Sequence, residues 1–383
     1  MSIYNKATLI IIAVLFLPVC LFGQGTVKIN IDPLAVPVNK LIENYSIEKV
    51  IKLETKKENL ISYVYYLEIE GDTIYISNYS GCYAFRSDGN FVGKVFNVGR
   101  GPGELKQPRG LTIHNDRHFS VYDIRGKFIA VFSERFELDK RIYPDLSFIS
   151  DVYRMQNGRF LLFSYLPQPG SEDQSDYCIY EFDPGTKNVR GILKMPNNYE
   201  SLNIEYHTTF SKFKLRYFVR LNLNNNIFEY NDSGLMLPRY TVDFGKYNAP
   251  EELSNGKLIN VRTLMGRIQK GEFCVLVDFQ ELEDHYVIIY DMWPERYTTV
   301  ISKKSGTQAA HAFRNEDDVM SRVTPFFEHD GNMIAVLDPH SFLSKYKLID
   351  KSNLTDYEHK IYAEIAEGLN ESDNPVLLFL KPR

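Results

Sequence analysis

Cysteine is scarce in this chain: four in 383 residues, at positions 20, 82, 178 and 274. Loss of an N-terminal leader would leave three, an odd number at wide spacing. That excludes a disulfide framework, and no pair has the close spacing of a zinc site. Cys82, Cys178 and Cys274 read instead as small buried hydrophobes. With 23 Gly and 17 Pro the chain is neither collagen-like nor of low complexity. No long run of one charge sign occurs among 44 basic and 49 acidic residues, so the footprint of a nucleic-acid binder is missing. Past residue 23 no stretch is long and apolar enough to cross a bilayer, and helical periodicity is nearly absent before residue 350. What is present is an apolar fraction of 44%, with 26 Tyr and 25 Phe. That is enough to bury a large core, and it excludes a disordered chain.

The first segment reads as a leader. Lys6 precedes a nearly unbroken apolar run from Ala7 to Phe22, which is shorter than a membrane span and opens directly into polar sequence. Residues 1–23 are therefore expected to be a secretory signal peptide, cut after Gly23. Its single lysine and absence of acids take the formal charge from −5 to −6 in the mature chain. Cys20 offers lipid attachment as an alternative, although Val19 stands where a lipoprotein signal wants a smaller residue.

Short strand-like runs dominate the remainder, bounded by Gly, Asn and Asp. Thr73–Ser77, Phe91–Phe96, Phe119–Asp123, Phe128–Phe132, Arg159–Ser164, Tyr177–Phe182 and Val287–Tyr290 are examples. The runs recur in six groups about 40 to 60 residues apart, near the repeat length of propeller blades. First turns are read at Gly71, Asn115-Asp116, Asn157-Gly158, Phe213-Lys214, Lys270-Gly271 and Asp330-Gly331. Second hairpins are clearest at Ser87-Asp88-Gly89-Asn90 and Asp232-Ser233-Gly234, where glycine suits the tight turn. The expectation is an all-β, six-bladed β-propeller of four-stranded antiparallel blades, forming a single domain over residues 24–383. Tyr357, Ile361, Ile365 and Leu369 recur every fourth residue, so one helix is expected before a closing strand at Pro375–Leu380. A shorter helix is read from Pro250. The last group lacks an outer strand, and the alternating segment 47–54 is expected to supply it and lock the ring.

Residues 99–123 contain Gly-Arg-Gly-Pro-Gly-Glu, then Pro-Arg-Gly, then strand, turn and a strand ending in Asp. This resembles an NHL-type propeller repeat. Asn226–Gly245 and the terminal Asn374-Pro375-Val376-Leu377-Leu378 extend the likeness. Over residues 40–383 the chain resembles the six-bladed β-propeller proteins exported by Gram-negative bacteria. The resemblance implies a propeller in the periplasm or cell envelope and carries no settled activity.

Candidate chemistry is sparse. Arg100, Glu104 and Arg109 flank the glycine-rich segment and are expected near the channel mouth, where they would meet a ligand. That segment lacks the Lys-Ser/Thr of a P-loop and leads into no helix, so it reads first as a crossover between blades. Asp123, Asp278 and Asp338 are read at the ends of the second strands of blades two, five and six. Carboxylates there would converge on one face, as ligand contacts or as a Ca²⁺ site, although Asp at a strand end also makes turns. No metal is expected in the first instance. None of the eight histidines forms a ligand pair on a helix face, and no nucleophile elbow occurs. The reading is a binding module for a protein, peptide or carbohydrate, whose tyrosines would suit a sugar face. The alternative is a hydrolase or lactonase in the central channel, with Ca²⁺ as a possible cofactor.

Overall fold

The structure, a computed structural model, describes residues 25–383 except 79, 102, 115–117, 165–175, 196–208, 232, 251–260 and 317. The leader, Cys20 and the Asn115-Asp116 turn lie outside the described residues. The N-terminal region contributes β1 (Val27–Asn30), β2 (Val38–Asn39), the short helix α1 (Leu41–Asn44) and β3 (Tyr45–Lys52). Blade one follows as β4 (Tyr66–Glu70), β5 (Thr73–Asn78), β6 (Gly81–Arg86) and β7 (Phe91–Asn97). Blade two is β8 (Pro108–Ile113), β9 (Phe119–Asp123), β10 (Phe128–Phe132) and β11 (Leu138–Ile142). Blade three comprises β12 (Ile149–Arg154), β13 (Phe160–Ser164), β14 (Tyr177–Asp183) and β15 (Asn188–Lys194). Blade four comprises β16 (Phe210–Phe213), β17 (Arg216–Arg220), β18 (Asn226–Tyr230) and β19 (Met236–Asp243). After α2 (Val261–Gln269), blade five is β20 (Val275–Glu281), β21 (His285–Met292), β22 (Glu295–Ser302) and β23 (Gln308–Ala312). Blade six opens with β24 (Pro325–His329) and β25 (Asn332–Leu337), passes through α3 (Pro339–Leu348) and α4 (Asp356–Ala366), and returns as β26 (Val376–Pro382).

These are six antiparallel meanders, each with its first strand innermost. β3 pairs with β26 in the order β24-β25-β26-β3, so the start of the chain supplies the outer strand of the last blade. Before reaching it, the N-terminal segment adds a parallel fifth strand to two other blades: β1 on β19 of blade four and β2 on β23 of blade five. The segment thus runs along the outer edges of blades four, five and six in turn.

Strand periodicity explains why the middle strands are nearly all apolar. Each blade is covered on both faces by its neighbours, so both alternating sets of side chains must be buried. Ile74 and Ile76 pack toward blade six with Ile51 and Leu377, while Tyr75 between them packs toward blade two with Phe119. Six of the hydrophobic clusters sit at the six blade–blade interfaces, and a smaller one packs α2 onto β20. Gly89 is required where it stands: its φ is +91°, and a Cβ would lie 2.1 Å from the Lys52 carbonyl of the neighbouring blade.

Three sequence expectations need correction. Lys270-Gly271 ends α2 and is not a hairpin; blade five turns at Leu282–Asp284, so Asp278 lies in the first, innermost strand and not at the end of the second. Asp-Gly-type punctuation misled there because the true turn contains no glycine. Two helices, not one, occupy the insertion before the closing strand. Pro339 at the first turn and the Asp338 cap start α3, which the alternation of Phe342 and Leu343 with Ser and Lys had hidden.

Candidate functional site

In a meander of this kind the crossovers between blades and the second-to-third strand turns share one face. All four exposed aromatic side chains among the described residues lie on that face: Tyr63, Tyr143, Phe148 and Trp293, at 43–61% exposure. Tyr63 belongs to the crossover into blade one, Tyr143 and Phe148 to that into blade three, and Trp293 to the β21–β22 turn. Phe148 stands at φ +58°, a backbone region disfavoured for a bulky side chain. Tyr63 and Tyr65 rings lie 4.8 Å apart, and the Arg109 guanidinium sits 5.9 Å from the centre of Tyr65.

The axis of the ring carries charge. Glu68 of β4 interacts electrostatically with Lys212 of β16 and Glu328 of β24, and Tyr153 of β12 senses both carboxylates. Blades one and four stand opposite each other, so these groups meet across the central channel. Burial pushes the Glu68 carboxyl up to about 8; Lys212 opposes the rise, while Glu328 and Glu70 add to it. Glu328 is also raised, chiefly by burial. A cavity of about 230 Å³ opens beside this cluster, lined by His114, Tyr153, Arg154, Gln156, Lys212 and Tyr217 among others.

Higher in the channel two inner strands repeat one device. β12 and β20 each bulge against their partner strand, and the residue after the bulge is Asp151 or Asp278. Each carboxylate accepts from the next backbone N–H, Val152 at 2.9 Å and Phe279 at 2.8 Å. Asp151 also accepts from the Thr209 amide of blade four at 3.0 Å, and Asp278 from Gln280 Nε2 at 3.2 Å. Burial holds both carboxyls up at about 6, against the opposing pull of Arg109 on Asp151 and Arg220 on Asp278.

The sequence candidates divide into separate places. Arg100 and Glu104 belong to the blade one–two crossover, Arg109 lies at the start of β8, and Asp123 ends β9 with its side chain turned to that crossover. The Glu104 carboxylate accepts from the Gly101 amide at 2.7 Å, folding the glycine-rich segment on itself, and Arg100 is exposed beside it. Asp123 accepts from the Lys106 and Gln107 amides, each at 3.0 Å, and so anchors the entry to β8. Arg109 lines a small cavity of about 80 Å³ with Tyr65, Ser77 and Asn78. Asp278 faces blade four from blade five. Asp338 caps α3, accepting from the His340 amide at 3.2 Å. Asp123, Asp278 and Asp338 therefore do not form a carboxylate ring. Among the described residues no group of three His, Cys, Asp or Glu side chains is placed to hold a metal ion. Cys82, Cys178 and Cys274 are buried free thiols.

Sequence reasoning missed a cavity of about 630 Å³ on the opposite face, between blades three and four. Glu181 is buried at its wall and is held by Arg159, Arg190 and the Tyr230 hydroxyl. Burial opposes ionisation of Glu181, but these three partners keep its carboxyl below the usual range. Blade four repeats the arrangement with Arg216, Glu229 and Arg239. The signal was an Arg at the start of the second strand and a Glu on the third, invisible without the register that pairs them.

The family described as "Domain of unknown function (DUF4934)" matches residues 30–381. No curated protein matches the chain. Among solved structures, a presumed exported protein of Bacteroides fragilis NCTC 9343 superposes with a TM-score of 0.70 at 16% identity, covering 94% of this chain and 99% of its own. A member of the DUF4221 family from Bacteroides vulgatus ATCC 8482 gives a TM-score of 0.57 at 11% identity, covering 88% and 98%. Both likenesses are of fold. No helix among the described residues is long and apolar enough to cross a membrane.

Proposed function

The chain belongs to the family described as a domain of unknown function (DUF4934), and from that premise we propose that it is an exported binding module of the periplasm or cell envelope, engaging a protein, peptide or carbohydrate through its crossover face. The observation that carries this reading is the placement of every exposed aromatic among the described residues on that one face. Aromatic rings present large, rigid contact area at low entropic cost, and they stack on sugars as readily as on peptide side chains. Arg109 beside Tyr65 adds a directional cation at the blade one–two seam. Arg100, a short way along the same crossover, adds a second charge for ligand contact.

Trp293 is the sole tryptophan of the chain and stands on the proposed face. Titration with defined oligosaccharides and peptides, read by Trp293 emission and by calorimetry, tests the reading. A ligand of this face should shift the emission, and a Tyr63→Ala/Phe148→Ala double variant should weaken it tenfold or more. Ligands that bind the double variant as tightly as the parent would sink the proposal.

A second reading has one observation of its own. Glu68 is held protonated near neutral pH beside Glu328 in the channel, which is the condition of a general acid next to a second carboxylate. On this reading the channel hydrolyses an ester or lactone. Hydrolysis of model lactones that survives Glu68→Gln unchanged would remove it.

A further inference from the structure

The seam between blades five and six holds a groove of about 640 Å³ that neither reading above uses. Three parts of the chain build it: the crossover between β23 and β24, the C-terminal end of α3, and Lys40 from the N-terminal segment. Among the described residues four cationic side chains line it, Lys40, Arg314, Arg322 and Lys345, against one carboxylate, Glu316. Two of the cations are already engaged. Lys40 meets Glu358 at 2.8 Å, and Lys345 donates to the Asn315 and Asp318 carbonyls, each at 3.3 Å. The guanidinium groups of Arg314 and Arg322 are not: among the described residues neither has a hydrogen bond, an ion pair or a ring contact.

A second observation points the same way. Ser321 is one of the groove's lining residues, is only 5% exposed, and its hydroxyl is buried with no hydrogen-bond partner among the described residues. A buried polar group left unpaired is costly, and a ligand oxygen at that point would satisfy it. Next to it Arg322 stands at φ +68°, where glycine would sit without strain. The remaining lining residues are Asn353 and three apolar ones, Val319, Ile349 and Leu348, the last 86% exposed. The negative end of the α3 dipole faces this region, and Lys345 and Lys347 in the last turn offset it.

We propose that this groove binds a small organic anion with an apolar body, of the alkyl carboxylate class. The charged head meets Arg314, Arg322 and the Ser321 hydroxyl, and the chain lies along Val319, Leu348 and Ile349. The volume falls within the range of small-molecule sites, and fixed polar groups with an apolar remainder are their usual composition.

Calorimetric titration of the mature chain with decanoate, and with decanol as its uncharged counterpart, tests the assignment. Decanoate should bind at one site. Decanol should bind at least tenfold more weakly. An Arg314→Gln/Arg322→Gly double variant should lose tenfold or more in decanoate affinity, and Leu348→Asp should weaken it several-fold. Should the double variant fail to fold by circular dichroism, Arg314→Gln alone, on an exposed side chain, gives the same reading. No decanoate binding to the parent, equal binding of decanol, or unchanged affinity in a folded arginine variant would each overturn the proposal. The Tyr63→Ala/Phe148→Ala variant should keep full decanoate affinity, so failure here and failure of the crossover-face reading are told apart.

Discussion

Blades three and six have the same meander but different origins. Blade three is drawn from one continuous span, and local turns such as Asn157-Gly158 hold its strands in register. Blade six takes three strands from the end of the chain and its outer strand from the beginning. No hairpin ties β3 to β26, so side chains do that work. Asn374, buried at 2% exposure, donates to the Glu54 carbonyl at 2.9 Å and accepts from the Ile61 amide at 2.8 Å. Lys52 Nζ reaches the carbonyls of Glu364 and Glu367 at the end of α4, and the Tyr357 hydroxyl accepts from the Ile47 amide at 2.9 Å. Where the backbone offers no short connection, the entropy of holding two distant segments together is offset by a denser set of specific bonds.

The strongest test of this contrast is deletion. Removing residues 40–56 should open the ring and lower the melting temperature by more than about 10 °C, or abolish cooperative unfolding. Removing residues 25–31, and β1 with them, strips only an added fifth strand from blade four and should cost a few degrees. Equal losses in differential scanning calorimetry would mean that β3 is an ordinary edge strand.

A single side chain sharpens the same point. Asn374→Ala takes the partner from the Ile61 amide and from the Asn59 carbonyl, while the Glu54 carbonyl keeps Asn59 Nδ2, so urea unfolding should show a loss of about 2–3 kcal/mol. Asp123→Ala frees two amides at the crossover inside the contiguous part of the ring, near exposed Lys106, and should cost less, about 1–2 kcal/mol.

Acid titration separates the blades further. Blades three and five carry Asp151 and Asp278 after the inner-strand bulge, whereas blade six carries Phe327. Burial raises both aspartates to about 6 in the folded chain. An acid raised on folding favours the unfolded state once that state ionises. The part of stability that depends on these two aspartates is therefore expected to fall between about pH 4 and pH 6, while Glu68, raised to about 8, carries the decline beyond that window. Asp151→Asn and Asp278→Asn should each flatten this slope, by up to about 3 kcal/mol, in unfolding measured across that window. A slope unchanged in the double variant would assign it elsewhere.

The smallest effect belongs to the outermost contact. Lys28 pairs with Asp243 at 2.5 Å from an exposed position on β1. Lys28→Ala should change stability by less than about 1 kcal/mol, and less still in high salt.

These differences mark what the sequence could disclose. Strands flanked by turn residues were legible, because alternation and Asp-Gly or Asn-Gly punctuation are local signals. α4 was legible through Tyr357, Ile361 and Ile365 on one face. β1 and β2 were not, because parallel pairing to strands more than 200 residues away leaves no turn between the partners. The candidate site was legible only at the blade one–two seam, where Arg100 and Arg109 were singled out. Tyr63, Phe148 and Trp293 could not be distinguished from the many aromatics of the core until the crossovers had a face. Glu68 and Lys212 look ordinary until opposite blades bring them together.

The path of residues 27–52 along three blade edges also fixes an order of events. As the chain is synthesised these strands emerge first, yet Ser46 waits for a partner 335 positions downstream at Lys381. β1 can dock once blade four exists and β2 once blade five does, but β3 has no partner until β26 is made, so closure of the circle comes after all six inner strands and is slow for its size. Until then β3 carries bare edges, and whatever shields it in transit acts on a strand made some 300 residues before its partner.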